Sequence, residues 1–268
     1  MVRRLLTALL LLALLLPIAF LGGTPYVILV AFFASTAAWE YGLMLRSRTF
    51  EPSLIIMVGG VLLILAARAF RPQAASLVLT ASVLAAMTWH LVRYEQGREH
   101  AAADLAMSIA GIVYLGWIGA YLVDLRLLPN GVWWLLLVLT TVWVADSAAY
   151  FVGVRYGRHK MSPRLSPKKS WEGYVAGIIA GTLFSGLLGG LFTRFGGPNL
   201  SAVQVMPLGF ALSTLTTLGD LGESLFKRYA GVKDSGDFLP GHGGAFDRID
   251  SLIWAGALGY YWIRLLLL

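Results

Sequence analysis

The chain has no cysteine among its 268 residues. That excludes a disulfide-stapled fold, thiolate metal centres and a cysteine nucleophile. Charge is also scarce. Asp, Glu, Lys and Arg make up 13% of the residues, against roughly 25% in an average soluble domain. Disordered chains are rich in charge and poor in apolar residues, so disorder is excluded as the general state. No GxxxxGK[ST] phosphate loop, HExxH zinc helix or GxSxG nucleophile turn occurs. Neither a low-complexity linker nor a repeat of roughly 20–50 residues is apparent.

What is present is hydrophobic: 58% of the residues are apolar or aromatic. A soluble fold of this size cannot hide so much apolar surface. A spanning helix takes about 20 mostly apolar residues. The runs near that length are Leu5–Leu21, Tyr26–Leu45, Leu54–Phe70, Ala74–Val92, Leu105–Val123, Val132–Gly153, Gly173–Phe195, Leu200–Gly219 and Ser251–Leu268. They lack the alternation of a membrane β-barrel. The expected fold is all-α: a polytopic integral membrane protein of about nine transmembrane helices, with a cytoplasmic N-terminus. The first run follows Val2-Arg3-Arg4, as the core of a signal peptide would. No clear small-x-small cleavage site follows it, and it is read as a retained helix.

Loop charge supports the count. With the N-terminus inside, Arg68, Arg71, Arg126, Arg194 and Arg264 fall outside, and the remaining sixteen of the 21 Lys and Arg fall inside. Such a bias is what the positive-inside rule asks for. The net charge of +7 is read as serving inner-leaflet loops and anionic lipid surfaces, not nucleic acid.

Polar residues divide the chain unevenly. Residues 1–130 read as N-terminal transmembrane helices without obvious chemistry. Residues 131–268 read as a catalytic transmembrane region with cytoplasmic loops at 155–172 and 220–250. Gly173, Gly177, Gly181, Ser185 and Gly189 recur every fourth residue. That stripe serves either as a dimer seam or as a close contact inside one chain.

The chemistry gathers in acids at helix ends. Asp146 lies late in the sixth run. Asp220 and Glu223 are one turn apart at the end of the eighth, and Asp247 and Asp250 repeat that spacing before the ninth. An ionised carboxylate near hydrocarbon is costly unless it is paired, metal-bound or hydrated. Carboxylates hold Mg²⁺, which binds substrate phosphates, and Arg and Lys neutralise the remaining oxygens. Gly241-His242-Gly243-Gly244 lets the backbone approach a ligand closely. These are parts of a phosphoryl- or nucleotidyl-transfer site. The alternative is salt-bridged helix ends, with Asp220, Asp247 and Asp250 pairing Lys227, Arg228 and Arg248. Of the scattered His90, His100, His159 and His242, only His242 lies within the candidate site, where it could meet phosphate or exchange a proton.

The stretch Ser224-Leu225-Phe226-Lys227-Arg228, then Lys233-Asp234-Ser235-Gly236, Leu239-Pro240-Gly241-His242-Gly243-Gly244 and Asp247-Arg248-Ile249-Asp250 spans 27 residues. It resembles the signature of the phosphatidate cytidylyltransferase (CDP-diacylglycerol synthase) family. Ser166-Pro167-Lys168-Lys169-Ser170-Trp171-Glu172-Gly173 also looks like a family segment, as does Asp146 with Ala149-Tyr150-Phe151 and Gly153. Two departures, Ala245 and Phe246 where larger aliphatic residues and leucine are usual, read as packing positions.

The resemblance implies transfer of CMP from CTP to phosphatidate, giving CDP-diacylglycerol and pyrophosphate. It implies Mg²⁺ dependence, a homodimer, and a multi-pass enzyme of the inner membrane whose site faces the cytoplasm. Under it, Asp220 and Asp247 are the first candidates for Mg²⁺ ligands, with Asp146, Glu223 and Asp250 as further or outer ligands. Lys168, Lys169, Lys227, Arg228, Lys233 and Arg248 are candidate phosphate binders, and Asp234 is a neighbour that sets Lys233. Ser166, Ser170 and Ser224 could donate hydrogen bonds, with Glu172, Gly241, Gly243 and Gly244 completing the substrate-binding set and His242 the catalytic one. Two rivals remain: an enzyme using CTP on another membrane lipid, and a transporter using Asp146, Asp220 and Asp247 as a proton relay.

Overall fold

A computed structural model describes residues 16–236, 238 and 243–268. Most of the first expected span, together with Gly241 and His242, therefore lies outside the described residues. Ten helices are named here in chain order: α1 Gly23–Arg46, α2 Leu54–Phe70, α3 Ala75–Glu95, α4 Ala101–Gly111, α5 Tyr121–Leu127, α6 Gly131–Tyr156, α7 Trp171–Phe192, α8 Ala202–Leu215, α9 Thr217–Ala230 and α10 Phe246–Leu266. Between α4 and α5 the chain widens into a π-helix over Ile112–Ile118. A two-stranded antiparallel hairpin, β1 Lys160–Ser162 and β2 Ser166–Ser170, joins α6 to α7.

The apolar runs become helices because each backbone N–H and C=O must be satisfied within its own segment in lipid. Among the described residues, six helical segments are long and apolar enough to cross a membrane: Gly23–Arg46, Pro72–Glu95, Ala101–Leu127, Gly131–Tyr156, Trp171–Phe195 and Ala202–Ala230. Leu54–Phe70 is apolar but shorter, at 17 residues. The chain is an all-α, multi-pass membrane protein with one small hairpin.

The chain forms two units. Unit 1 comprises Met1–Asp124 and Phe226–Ile249; unit 2 comprises Leu125–Leu225 and Asp250–Leu268. The divisions fall inside α5, inside α9 and inside the first turns of α10.

In unit 1, α2 packs against α1, α3 and the π-helix. A polar knot ties the α1–α2 connection to α3 and α4. Buried Asp104 accepts from Arg98 Nε at 2.8 Å and from the Glu51 N–H at 2.7 Å. That hydrogen bond raises the Arg98 guanidinium above its ordinary pKa. Ser108 Oγ accepts from the Ser53 N–H and meets His90 Nε2, both at 3.0 Å. Elsewhere Arg68 pairs with Asp124 at 3.1 Å and lies over the rings of Trp117 and Tyr121.

In unit 2, α7 packs against α6 and α8. Its small-residue stripe is consumed there. A Cβ on Gly177 would sit 2.8 Å from the Ala145 carbonyl oxygen of α6, and one on Gly189 would sit 2.8 Å from Val205 of α8. Gly181 similarly has no room for a side chain beside Ser213. The stripe thus serves contact within the unit. Ser170 caps α7 by accepting from the Gly173 N–H at 3.2 Å, and Ser201 with Gln204 forms a capping box on α8.

Gly177→Leu is expected to force α6 from α7 and destabilise the protein by roughly 1–3 kcal/mol. A lowered thermal unfolding midpoint in detergent checks this; an unchanged midpoint would contradict the packing described.

Candidate active site

Acidic residues converge in unit 2. Asp220 and Glu223 share one face of α9, and Asp250 lies in the second turn of α10. One carboxylate oxygen from each comes within 4.8 Å of the others. Their approach depends on Gly219, where a Cβ would lie only 2.6 Å from the Asp250 carbonyl oxygen. Glu223 is 1% exposed and Asp250 9%, so protein atoms surround two of the three. Lys169 Nζ, from the end of β2, pairs with Asp220 Oδ2 at 2.8 Å. Ser224 Oγ reaches Asp220 Oδ1 at 3.4 Å, and Asp250 Oδ1 accepts from the Ser251 N–H at 2.6 Å. Asp146 of α6 lies within electrostatic reach of Asp220, Asp250 and Lys169.

This donor set is all oxygen, which suits a hard cation such as Mg²⁺ or Ca²⁺ and not a soft one. Lys169 offsets one of the gathered negative charges. Three carboxylates this near one another could share a divalent cation, with Asp146 adding negative charge nearby.

Asp247 belongs to unit 1, where its carboxylate is held by a cation and by hydrogen-bond donors. Its Oδ1 accepts from Lys227 Nζ at 2.6 Å. Its Oδ2 accepts from the Ser235 N–H at 2.9 Å, Ser235 Oγ at 3.0 Å and the Gly244 N–H at 2.8 Å. The salt-bridge expectation for Asp247 with Lys227 is met in this arrangement, while Asp220 pairs with Lys169. Gly243 adopts a left-handed φ of 81°, and a Cβ there would lie 2.5 Å from Asp247 Oδ2; both facts favour glycine.

The other candidates fall as follows. Ser166 and Lys168 lie on β2, with Lys168 exposed. Ser170 is buried at the start of α7. Glu172 accepts from the His159 N–H at 3.1 Å and meets His159 Nδ1 at 2.6 Å. Arg228 donates to the Val232 carbonyl at 3.2 Å. Lys233, Asp234 and Arg248 are exposed. Ala245 and Phe246 are fully buried, as packing positions should be.

Glu40 escaped the sequence reading. Glu40 of α1 is buried, and its carboxylate accepts from Ser235 Oγ and from the N–H groups of Ala245 and Phe246. The available signal was a single acid inside the apolar run Tyr26–Leu45.

The sequence profile of the Cytidylyltransferase family matches residues 2–266. Similar curated proteins are named phosphatidate cytidylyltransferase. The one from Thermotoga maritima is 41% identical over 132 residues, and that match spans about half of each protein, 49% of this chain and 49% of the relative. The one from Pseudomonas aeruginosa is 37% identical over 271 residues, covering 93% of this chain and 92% of the relative. The one from Synechocystis is 32% identical over 300 aligned positions, covering 99% and 97%. Matched over nearly its whole length both by the profile and by two of these relatives, this helical membrane protein belongs to the cytidylyltransferase family.

Proposed function

We propose that this chain is a Mg²⁺-dependent phosphatidate cytidylyltransferase. It transfers CMP from CTP to phosphatidate, giving CDP-diacylglycerol and pyrophosphate for phospholipid synthesis. The observation that carries the reading is the carboxylate cluster of Asp220, Glu223 and Asp250 in a chain whose relatives bear that name.

The cluster fits Mg²⁺ by its donor chemistry. Asp220, Glu223 and Asp250 would hold the ion, with Asp146 as a further ligand or as nearby negative charge. The family resemblance adds Asp247 to the ligands, although here its carboxylate holds Lys227. A bound Mg²⁺ supplies neutralisation of phosphate oxygens where charge builds up.

The protein's own side chains do the rest. The phosphatidate phosphate carries most of its negative charge near neutral pH, so its oxygen attacks without a general base. The new bond forms to the α-phosphorus of CTP, and the bond to the β-phosphate oxygen breaks as pyrophosphate leaves. Lys169 brings an ammonium beside the cluster, where an incoming phosphate can take it over from Asp220. Lys168, Lys227, Arg228, Lys233 and Arg248 are the further phosphate binders of this reading, and positioning with charge neutralisation accounts for most of the rate.

The lipid phosphate sits at the surface of the leaflet, which calls for a site at helix ends. We place that site, and the N-terminus, on the cytoplasmic side of the bacterial inner membrane, with about nine spans. The distribution of Lys and Arg supports this. A homodimer is part of the same reading and rests on the family resemblance. Its seam would lie away from the α7 stripe, which α6 and α8 already occupy.

Protein purified in detergent should form CDP-lipid from phosphatidate and labelled CTP only when Mg²⁺ is present. Glu223→Gln and Asp220→Asn should each lose at least about 100-fold in kcat, roughly 2.7 kcal/mol of transition-state stabilisation. No CDP-lipid from folded parent would sink the reading; full activity in both variants would move the ion off this cluster.

The absence of native cysteine makes the topology testable. Arg164→Cys, in the hairpin turn, should resist a membrane-impermeant maleimide in intact cells and react once the cells are opened. Labelling in intact cells would reverse the proposed orientation.

A further inference from the structure

Glu40 is the single acidic residue of α1, and it is 6% exposed. A carboxylate withdrawn this far from water is unfavourable unless donors replace the lost hydration. Its donors come from the other end of the chain. Oε2 accepts from Ser235 Oγ at 2.9 Å and from the Phe246 N–H at 3.0 Å, and Oε1 accepts from the Ala245 N–H at 3.0 Å. The two amides belong to the start of α10, where N–H groups lack helical partners and the helix dipole favours negative charge.

The surrounding backbone is shaped to this side chain. A Cβ on Gly236 would lie 2.7 Å from Glu40 Oε1, and one on Gly244 would overlap both Glu40 Oε2 and Ser235 Oγ. Both glycines lie within the motif that carries the family resemblance.

The pieces of chain that Glu40 gathers are the pieces that hold Asp247. Asp247 Oδ2 accepts from Ser235 N and Gly244 N, and it shares the one proton of Ser235 Oγ with Glu40. Ser235 Oγ lies between the two carboxylates, 2.9 Å from Glu40 and 3.0 Å from Asp247. Simple capping of α10 would not need α1, because a Ser, Asp or Asn next to the helix does that locally. The longer connection ties the first helix to the orientation of one motif carboxylate.

We infer that Glu40 is a positioning residue for cytidylyl transfer: by holding Ser235 and the first turn of α10, it fixes the Asp247 carboxylate, and with it Lys227, in working orientation. The inference rests on the reading of this chain as a phosphatidate cytidylyltransferase. It gives α1 a part in the reaction that no contact with substrate requires.

The test is a double-mutant cycle on kcat and KM in detergent, with folding followed by monodispersity and thermal unfolding. Glu40→Gln keeps the volume and sets an amide N–H against an N–H or O–H donor. It is expected to lower kcat at least about tenfold while KM for CTP and for phosphatidate stays within about threefold. In an Asp247→Asn background the same change should cost less than about twofold, because both act through one carboxylate. If Glu40→Gln does not fold, Ser235→Ala carries the test. It leaves Glu40 its two amides and should show the same loss in kcat and the same coupling to Asp247→Asn. A folded variant with parental kcat, or losses that add in full with Asp247→Asn, would overturn the inference. Parent protein that makes no CDP-lipid would instead overturn the functional reading, and the inference with it.

Discussion

A carboxylate withdrawn from water must be given a cation or a set of hydrogen-bond donors, and in a chain this apolar the demand is severe. Glu40, Asp104, Glu223 and Asp250 are all at or below 9% exposure. Two different solutions are used. In unit 1 the donors are built into the protein: backbone amides and a serine for Glu40, and an arginine and an amide for Asp104. Asp247 belongs with these, held by Lys227, Ser235 and Gly244. In unit 2 acids are set against acids, and Lys169 offsets one of them. The first solution fixes a backbone. The second gathers negative charge, which under the proposed function a divalent cation would neutralise beside the substrate phosphates.

Glycine makes both arrangements possible, by allowing close approach more than by offering freedom. Gly219 lets α9 meet the Asp250 backbone. Gly236 and Gly244 leave space for the Glu40 carboxylate. Gly177 brings α7 onto the backbone of α6, the helix that carries Asp146. An added methyl at any of these points would push on an acid or on the helix that presents one.

Much of this was legible in the sequence, because hydrophobic length is a local property. The run Leu54–Phe70 is α2, end to end, and Gly173–Phe195 lies within the helical segment Trp171–Phe195. The spacing of Asp220 and Glu223 put them on one helical face, and the structure adds Asp250 to them. The small-residue stripe was visible, but its occupant was not: one periodicity serves a second copy of the chain or a neighbouring helix equally well. The hairpin of β1 and β2 gave no warning, since strands of three and five residues rich in Lys and Ser carry no alternation to read. Glu40 and Asp104 were passed over for a deeper reason. The meaning of a lone acid in an apolar run lies in its partners, and for Glu40 these stand up to 206 positions away. Helix periodicity reports which face a residue occupies, never what that face will meet.

Under the proposed function, the acids of α9 and α10 form the metal centre of the reaction. Mn²⁺, which takes the same oxygen ligands as Mg²⁺, permits a direct measurement by electron paramagnetic resonance titration of the detergent-solubilised protein. The account predicts saturable Mn²⁺ binding by the parent, displaced by Mg²⁺, and weakened at least about tenfold in Glu223→Gln and in Asp250→Asn. Binding of equal strength in the parent and in both folded variants would contradict it.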